Sequence, residues 1–282
     1  MNKPNPNIVV PVDLTNPGQF FACCGLLELA DRLWPGAEGW FEGQEFCVRF
    51  DGDLRTLLTC LVLDPPQARD FACETLPVKP IVAPLAITLD ADATDRLVLD
   101  FWTKIIIKSG SAQAVAAPPW NMWSGNQKSL RIWLQLRDEL RVIVAGDEPT
   151  KTKPCTNVQL LDLFCQTRPL TGRFGFDSTA AWNAQDVGFS PNDQGMAVES
   201  SPATELLAAI GLQRFKPVIE NDIVQYQLWN TAASPAIAAT FACSGIQHSG
   251  TRYRLEIVNR GKYSAFGKSR PMKGESANVR TN

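Results

Sequence analysis

The chain has 282 residues, of which 45% are apolar and 20% charged, and its net charge at pH 7 is −2. This composition is typical of a globular protein with a large core and excludes a disordered or fibrous chain. No apolar run reaches the roughly 18–20 residues that a membrane-spanning helix needs. The polar segment 1–7 also lacks the apolar core of a signal peptide, so we expect a cytoplasmic protein.

The first predicted elements are a strand at 8–12 and a helix from Asn16 to Leu33. Asn caps helix N-termini and Pro17 suits the first helical position. The same start signal returns at Ser201-Pro202, ahead of a second apolar run that ends near residue 215. The sequence therefore predicts two capped, apolar helices.

Each of these helices contains a Gly-Leu pair, at Gly25 and at Gly211. A glycine inside a helix costs about 1 kcal/mol relative to alanine, so it needs a packing reason. The segments around the two helices do not repeat in sequence. We therefore expect the helices to pack closely within one body rather than to mark a duplication.

Other elements follow from apolar periodicity. We predict a strand at 46–50, a helix at 53–63, a hairpin of strands at 85–89 and 97–102, and helices at 129–144 and 158–165. The segment 104–108 extends a strand or begins a helix. Strands are predicted at 223–229, 237–242 and 253–259.

This mixture lacks the regular strand–helix alternation of a doubly wound sheet. The sequence therefore predicts an α+β fold with a mixed, mainly antiparallel sheet and packed helices. We expect a single domain over residues 1–282, with 146–156 as the place for any internal boundary. Residues 260–282 are expected to form a basic, flexible C-terminal tail.

Metal and redox chemistry find little support in the sequence. The eight cysteines include no Cys-x-x-Cys pair, and most lie beside apolar residues, which is typical of buried free thiols. Nucleotide-binding glycine motifs are absent. The acidic residues at 177, 186, 193 and 199 favour capping and turn roles over metal binding. We expect no metal and no cofactor.

Two loops have the composition of a nucleic-acid contact. The loop at 120–128 contains Trp123 and Lys128, and the glycine-aromatic loop at 172–192 contains Arg173, Phe174 and Phe176. Aromatic rings stack on unpaired bases and cations meet phosphates. The alternative for the aromatic residues is that they fill the core beneath a long loop.

The C-terminal end is basic on an otherwise acidic chain. From residue 252 onward eight Lys and Arg residues are opposed only by Glu256 and Glu275. Such an asymmetry is typical of a phosphate-binding surface, and its alternative is a solvated tail.

Three segments resemble one CRISPR-associated family. They are NPGQFFACCGLLE at 16–28, LDFW at 99–102 with WSGNQ at 123–127, and RFGFD at 173–177 with the stretch through 192 and ELLAAIGL at 205–212. In this order, across roughly residues 10–220, the chain is similar to the Csb-type subunits of type I-U (also called I-G) CRISPR systems.

The resemblance implies a subunit of an RNA-guided, Cascade-like interference complex in antiviral defence. Its partners would be a guide RNA, target DNA and other Cas subunits. It also implies RRM-like (ferredoxin-like) elements, and it supplies no catalytic residues to carry over.

The leading hypothesis is a non-catalytic nucleic-acid-binding subunit. Its predicted contact residues are Trp123, Lys128, Arg173, Phe174, Phe176, Arg252, Arg254, Arg260, Lys262, Lys268 and Arg270. One alternative is a guide-RNA-processing endoribonuclease that uses His248, the only histidine, as general base. The other is an assembly scaffold of the same complex that contacts only protein.

Overall fold

The computed structural model describes residues 3–63, 67–68, 80–89, 96–123, 127–180, 198–220, 223–243, 250–260 and 263–272. It is an α+β structure, as the sequence predicted. Its helices are α1 Pro17–Leu33, α2 Leu54–Leu63, α3 Ser129–Ala145, α4 Asn157–Leu161, α5 Pro202–Arg214 and α6 Pro235–Cys243.

All strand pairings described are antiparallel. The strands are β1 Ile8–Pro11, β2 Glu38–Glu42, β3 Glu45–Arg49, β4 Gln67–Ala68, β5 Leu85–Thr88, β6 Arg96–Leu99, β7 Thr103–Lys108, β8 Ser111–Ala116, β9 Arg168–Leu170, β10 Val198–Ser200, β11 Val218–Glu220, β12 Ile223–Gln227, β13 Arg252–Arg260, β14 Tyr263–Phe266 and β15 Arg270–Pro271.

The two central helices begin where the sequence predicted. The side chain of Asn16 accepts a hydrogen bond from the backbone N–H of Gly18 at 3.0 Å, and that of Ser201 accepts one from Thr204 at 3.2 Å. Almost every residue of α1 and α5 is buried. Helices that are apolar on all sides belong in a core, and these two pack closely against each other.

The helices α1 and α5 meet at their glycines. A Cβ atom on Gly25 would overlap the carbonyl oxygen of Leu207, and one on Gly211 would overlap the carbonyl oxygen of Phe21. The contact is reciprocal, since each glycine also approaches the backbone nitrogen of the other. The predicted close packing at Gly25 and Gly211 is confirmed.

The segment 8–63 has RRM-like connectivity. It runs β1–α1–β2–β3–α2, and its sheet has the strand order β1-β3-β2. This is the order in which a ferredoxin-like βαββαβ unit begins.

The same order of elements returns in the second half as β10–α5–β11–β12–α6. There the strands pair differently, because β10 pairs with β9 and β12 lies between β11 and β13. The element order therefore repeats around the two helices, although the sequence around them and the strand pairing do not.

One hydrophobic core joins the two halves. The ring of Phe20 in α1 stacks on that of Tyr226 in β12, with centroids 4.1 Å apart. The backbone N–H of Gly39 in β2 donates to the carbonyl of Ala233, and that of Phe41 donates to Trp229, both at 2.9 Å. The second half thus pairs directly with the edge of the first sheet.

Two sequence predictions in the last third are corrected. The segment 237–242 lies in helix α6 rather than in a strand. Its start signal is Ser234-Pro235, the same polar-proline pair that begins α1 and α5, and an alanine-rich run follows it. Residues 263–272 pair in the sheet instead of forming a flexible tail, and 273–282 lie outside the described residues.

The segment 104–108, left open by the sequence, is strand β7. Arg55 of α2 binds the segment 146–156 at its end and on both flanks: its guanidinium donates to the carbonyl of Cys155, to the carbonyl of Val144 and to the side chain of Asn157. Within the described ranges no helix combines the length and apolarity needed to cross a bilayer.

Substitution of Gly25 by Ala tests the helix contact. The added methyl group would overlap backbone atoms, which cannot move like a flexible side chain, so we expect a loss of about 3–5 kcal/mol in the free energy of unfolding. The measurement is urea unfolding followed by circular dichroism.

The matched control is Gly110→Ala. Gly110 has φ +79° and no atom within 4 Å of an added Cβ, so only backbone strain of roughly 1–2 kcal/mol is expected. Equal losses for the two variants would contradict the close approach at Gly25.

Candidate nucleic-acid interface

The glycine-aromatic loop is fixed by Glu205, a buried residue in the first turns of α5. One carboxylate oxygen of Glu205 accepts the backbone N–H groups of Phe174 and Gly175 at 2.9 and 3.0 Å. The other carboxylate oxygen of Glu205 accepts a hydrogen bond from the backbone N–H of Asp177 at 3.0 Å. A single side chain therefore satisfies three backbone donors of the loop, two of them buried.

Asp177 in turn connects the two helix caps. Its carboxylate accepts hydrogen bonds from the side-chain amide of Asn16 at 2.8 Å, the hydroxyl of Ser200 at 2.9 Å and the backbone N–H of Ser201 at 2.9 Å. Asn16 also accepts from the backbone N–H of Ser178 at 3.2 Å. The predicted capping and turn role is confirmed for Asp177.

The charge state of Glu205 reflects this environment. Burial raises its pKa to about 7 from the ordinary value of 4.5. The N–H of Asp177 favours the carboxylate, the charge of Asp177 opposes it, and the charge of Arg173 favours it again. Glu205 thus titrates near neutral pH while holding the loop.

The three predicted stacking rings lie in the core. Trp123, Phe174 and Phe176 are buried, and the ring of Phe174 stacks on Trp102 and on Phe176, with centroids 5.7 Å away in both cases. The indole N–H of Trp123 donates to the carbonyl of Ile81 at 3.0 Å. Because these rings have no face free for a base, the core-filling alternative replaces the stacking prediction for all three.

The loop and the C-terminal strands nevertheless meet. The backbone N–H of Phe266 in β14 donates to the carbonyl of Gly175 at 2.9 Å, and that of Ser264 donates to Met122 at 2.8 Å. Both predicted loops therefore contact β14 through their backbones. The Phe266 ring points into the core, 5.5 Å from that of Phe176.

Two of the predicted contact residues, Arg254 and Arg270, are exposed on the C-terminal sheet. Gln225 in β12, Arg254 in β13 and Arg270 in β15 are directly opposite one another in the strand register. Residues opposite each other share one face of a sheet, so they form a row, which we call the basic row. Arg254 and Arg270 are exposed.

The other face of the same strands is apolar. Tyr226 and Tyr253 are buried there, with stacked rings 5.7 Å apart, and Tyr226 packs on α1. Because successive side chains of a strand point to opposite faces, the apolar side chains of β12 and β13 lie toward the core and the basic row lies on the outer face.

The remaining predicted contact residues are distributed as follows. Lys128 is exposed before α3, Lys268 is exposed between β14 and β15, and Arg173 and Arg252 are half-buried. The backbone of Arg260 ends β13, while Lys262 and the alternative catalytic residue His248 lie outside the described residues.

Beside the basic row is a cavity of about 180 Å³. It is lined by Val218, Glu220, Gln225, Tyr226, Gln227, Ala242 and Arg252. Acidic residues, Glu220 and Glu256, are also exposed on this sheet. Among the described residues no three His, Cys, Asp or Glu side chains are grouped to hold a metal ion.

Comparison of the chain with protein-family models, with curated proteins and with solved structures gave no match.

Sequence reasoning missed the anchoring role of Glu205. The sequence does contain a signal for this role, since Glu205 is the one charged residue in the run from Pro202 to Leu212. Charged residues are rarely fully buried without partners, so a lone Glu in a core helix indicates a set of hidden donors.

Substitution of Glu205 by Gln tests the loop anchor. An amide nitrogen would replace one acceptor oxygen, and we expect a loss of about 1–3 kcal/mol in the free energy of unfolding at pH 7. The exposed Glu148→Gln variant is the control and should change stability by less than about 0.5 kcal/mol.

The pH dependence of the free energy of unfolding is a second test of Glu205. Between pH 4.5 and 7 folded Glu205 keeps a proton that the unfolded chain loses, so raising the pH weakens its contribution to stability. Between pH 4.5 and 7 the free energy of unfolding, measured with urea, should fall as the pH rises in the parent chain and in Glu148→Gln. The fall should be smaller in Glu205→Gln. Identical profiles would contradict the assignment.

Substitution of Phe174 by Leu tests the packing role. Loss of ring contacts in the core should lower the free energy of unfolding by about 1–3 kcal/mol. Truncation of the exposed Val158 to Ala should change it by less than about 0.5 kcal/mol. If Phe174→Leu unfolds at the parent urea concentration, the ring is not part of the core.

Proposed function

We propose that this chain is a non-catalytic nucleic-acid-binding subunit of a type I CRISPR RNA-guided effector complex in antiviral defence. Its partners are guide RNA or target DNA and other Cas subunits. The observation that carries the binding proposal is the basic row, in which two exposed arginines lie opposite each other on neighbouring strands.

Two like charges in this arrangement repel each other. Like-charged residues directly opposite in a sheet destabilise the pair, by roughly 0.2–1 kcal/mol on the scale of cross-strand interactions. An anion bound between Arg254 and Arg270 would remove this repulsion. A guanidinium group can donate two parallel hydrogen bonds to two oxygens of one phosphate. A phosphate backbone therefore suits the row chemically.

The rest of the assignment rests on the resemblance to the Csb-type subunits. The βαββα connectivity of the segment 8–63 agrees with the RRM-like elements which that resemblance implies. Nucleic-acid contact then comes from the basic row and neighbouring Lys268 and Arg252, and not from the buried rings. The proposal assigns no catalytic residue.

The scaffold alternative has one observation in its favour. The hairpin of β7 and β8 exposes Ile105 and Ile107, which suits a protein contact. The two functions use different residues, so a chain that binds partner protein but no nucleic acid would support the scaffold alone.

Binding of single-stranded RNA and DNA across a salt series tests the proposal. The logarithm of affinity should fall with the logarithm of salt, by about 0.7 for each phosphate contact. Arg254→Ala with Arg270→Ala should reduce this slope by about 1.4 and weaken binding uniformly across sequences.

The control is Arg131→Ala with Arg141→Ala, which removes two exposed arginines of α3 and the same total charge. It should leave the slope near that of the parent chain. Equal losses in both double variants would contradict a role for the basic row, and the absence of salt-dependent binding would overturn the proposal.

A further inference from the structure

The cavity of about 180 Å³ lies directly beside the basic row. Gln225 belongs to both, because it is a member of the row and also lines the cavity. Gln227 and Arg252, which line the cavity too, are opposite each other in the register, and each is two residues from a member of the row. Residues two apart in a strand share a face and are about 7 Å apart. The cavity therefore lies one step along the strands from the proposed phosphate site.

The size of the cavity limits what it can hold. An apolar cavity of about 150 Å³ accepts one benzene ring. A cavity of about 180 Å³ therefore accepts one six-membered ring, and the fused second ring of a purine would extend beyond it. Val218 and Ala242 line the cavity and supply apolar contacts for the face of such a ring. Among the bases of RNA and DNA, the size favours a pyrimidine.

The charged side chains of the lining differ in what they can bind. Glu220, which follows Val218 and Ile219 in β11, has a carboxylate that only accepts hydrogen bonds. The side-chain amide of Gln225 donates to one oxygen of this carboxylate at 3.4 Å. Arg252 in β13 has a guanidinium that only donates. The cavity thus combines an acceptor from β11 with a donor from β13.

This combination distinguishes the two pyrimidines. The 4-amino group of cytosine donates to a carboxylate, while its ring nitrogen and its 2-carbonyl oxygen accept from a guanidinium. Uracil instead has a carbonyl oxygen at position 4, which would face the carboxylate of Glu220 with no proton between them. Cytosine therefore matches both charged groups, and uracil matches only one of them.

We propose that this cavity binds the base of one unpaired cytosine nucleotide whose strand has its phosphates on the basic row. Glu220 accepts the 4-amino group and Arg252 donates to the acceptors of the ring. The apolar part of the lining packs on the ring face. The inference rests on the nucleic-acid-binding function proposed above and adds a base preference to it.

Free nucleosides test the cavity without any phosphate. Cytidine and uridine are titrated into the full chain, and binding is measured by ligand-detected nuclear magnetic resonance. The dissociation constant for cytidine should be about 5- to 100-fold lower than that for uridine. Adenosine should also bind more weakly than cytidine, because its base has two rings.

Single-stranded RNA oligomers of cytidine and of uridine, equal in length, test the same preference in a strand. They carry the same phosphates, so the salt dependence of the two affinities should be the same. The affinity itself should be about 5- to 100-fold higher for the cytidine oligomer.

Substitution of Glu220 by Gln tests the residue assignment. The amide can donate to the 4-carbonyl of uracil as well as accept from cytosine, so the preference should fall below about twofold. Glu256→Gln is the matched control, because Glu256 is exposed on the same sheet but does not line the cavity. It removes the same charge and should keep the parent preference. Circular dichroism verifies that both variants are folded.

The outcomes separate the cavity from the wider function. Salt-dependent binding of both oligomers with equal affinity, together with equal binding of cytidine and uridine, would overturn the cytosine site and leave the nucleic-acid function standing. A cytidine preference that is unchanged in Glu220→Gln, or lost equally in Glu256→Gln, would exclude this cavity as the site. Selective cytidine binding by a chain that binds neither oligomer would support the cavity and overturn the nucleic-acid function.

Discussion

The contact between α1 and α5 at Gly25 and Gly211 determines where the other parts of the structure lie. Three contacts along the pair show that the helices run side by side in the same direction. Asp177 joins Asn16 to Ser201 at one end, the glycines meet in the middle, and Glu28 accepts a hydrogen bond from Arg214 at the other end. Only residues without side chains allow so close a parallel approach.

Parallel helices bring like ends of their dipoles together, which is unfavourable unless opposite charges lie there. At the N-terminal ends lie the buried acidic side chains of Asp177 and Glu205, and Glu205 is charged above its pKa of about 7. At the C-terminal ends Arg32 and Arg214 lie around Glu28. The carboxylates at the N-termini also bind the loop from Phe174 to Asp177, so the electrostatic requirement of the helix pair fixes the glycine-aromatic loop.

The same arrangement explains which residues are left for function. The loop pairs with β14 and its rings fill the core beside α1, while the C-terminal sheet packs on α1 through Tyr226. Among the described residues of the two predicted loops, the rings of Trp123, Phe174 and Phe176 are therefore used in packing. What the fold presents outward is the polar side of that sheet, where Arg254 and Arg270 stand in register.

Local signals in the sequence predicted α1, α5, β12 and β13 well, because caps, prolines and apolar alternation act over a few residues. Helix α6 was missed because the strand-like run at 237–242 outweighed the start signal at Ser234-Pro235. The close contact of Gly25 and Gly211 could be anticipated from the cost of a helical glycine. The lone charge of Glu205 indicated hidden donors, but the partners of Asp177 and Glu205 could not be identified, since these contacts join positions up to 161 residues apart whose proximity depends on the whole fold.

The proposed binding face can be mapped directly by ultraviolet cross-linking of the chain to single-stranded RNA, followed by mass spectrometry of the linked peptides. We expect cross-links in the peptides that contain 252–256 and 268–272, with their yield reduced in the Arg254→Ala, Arg270→Ala variant. Cross-links concentrated at Phe174 and Phe176, or a pattern unchanged in that variant, would contradict it.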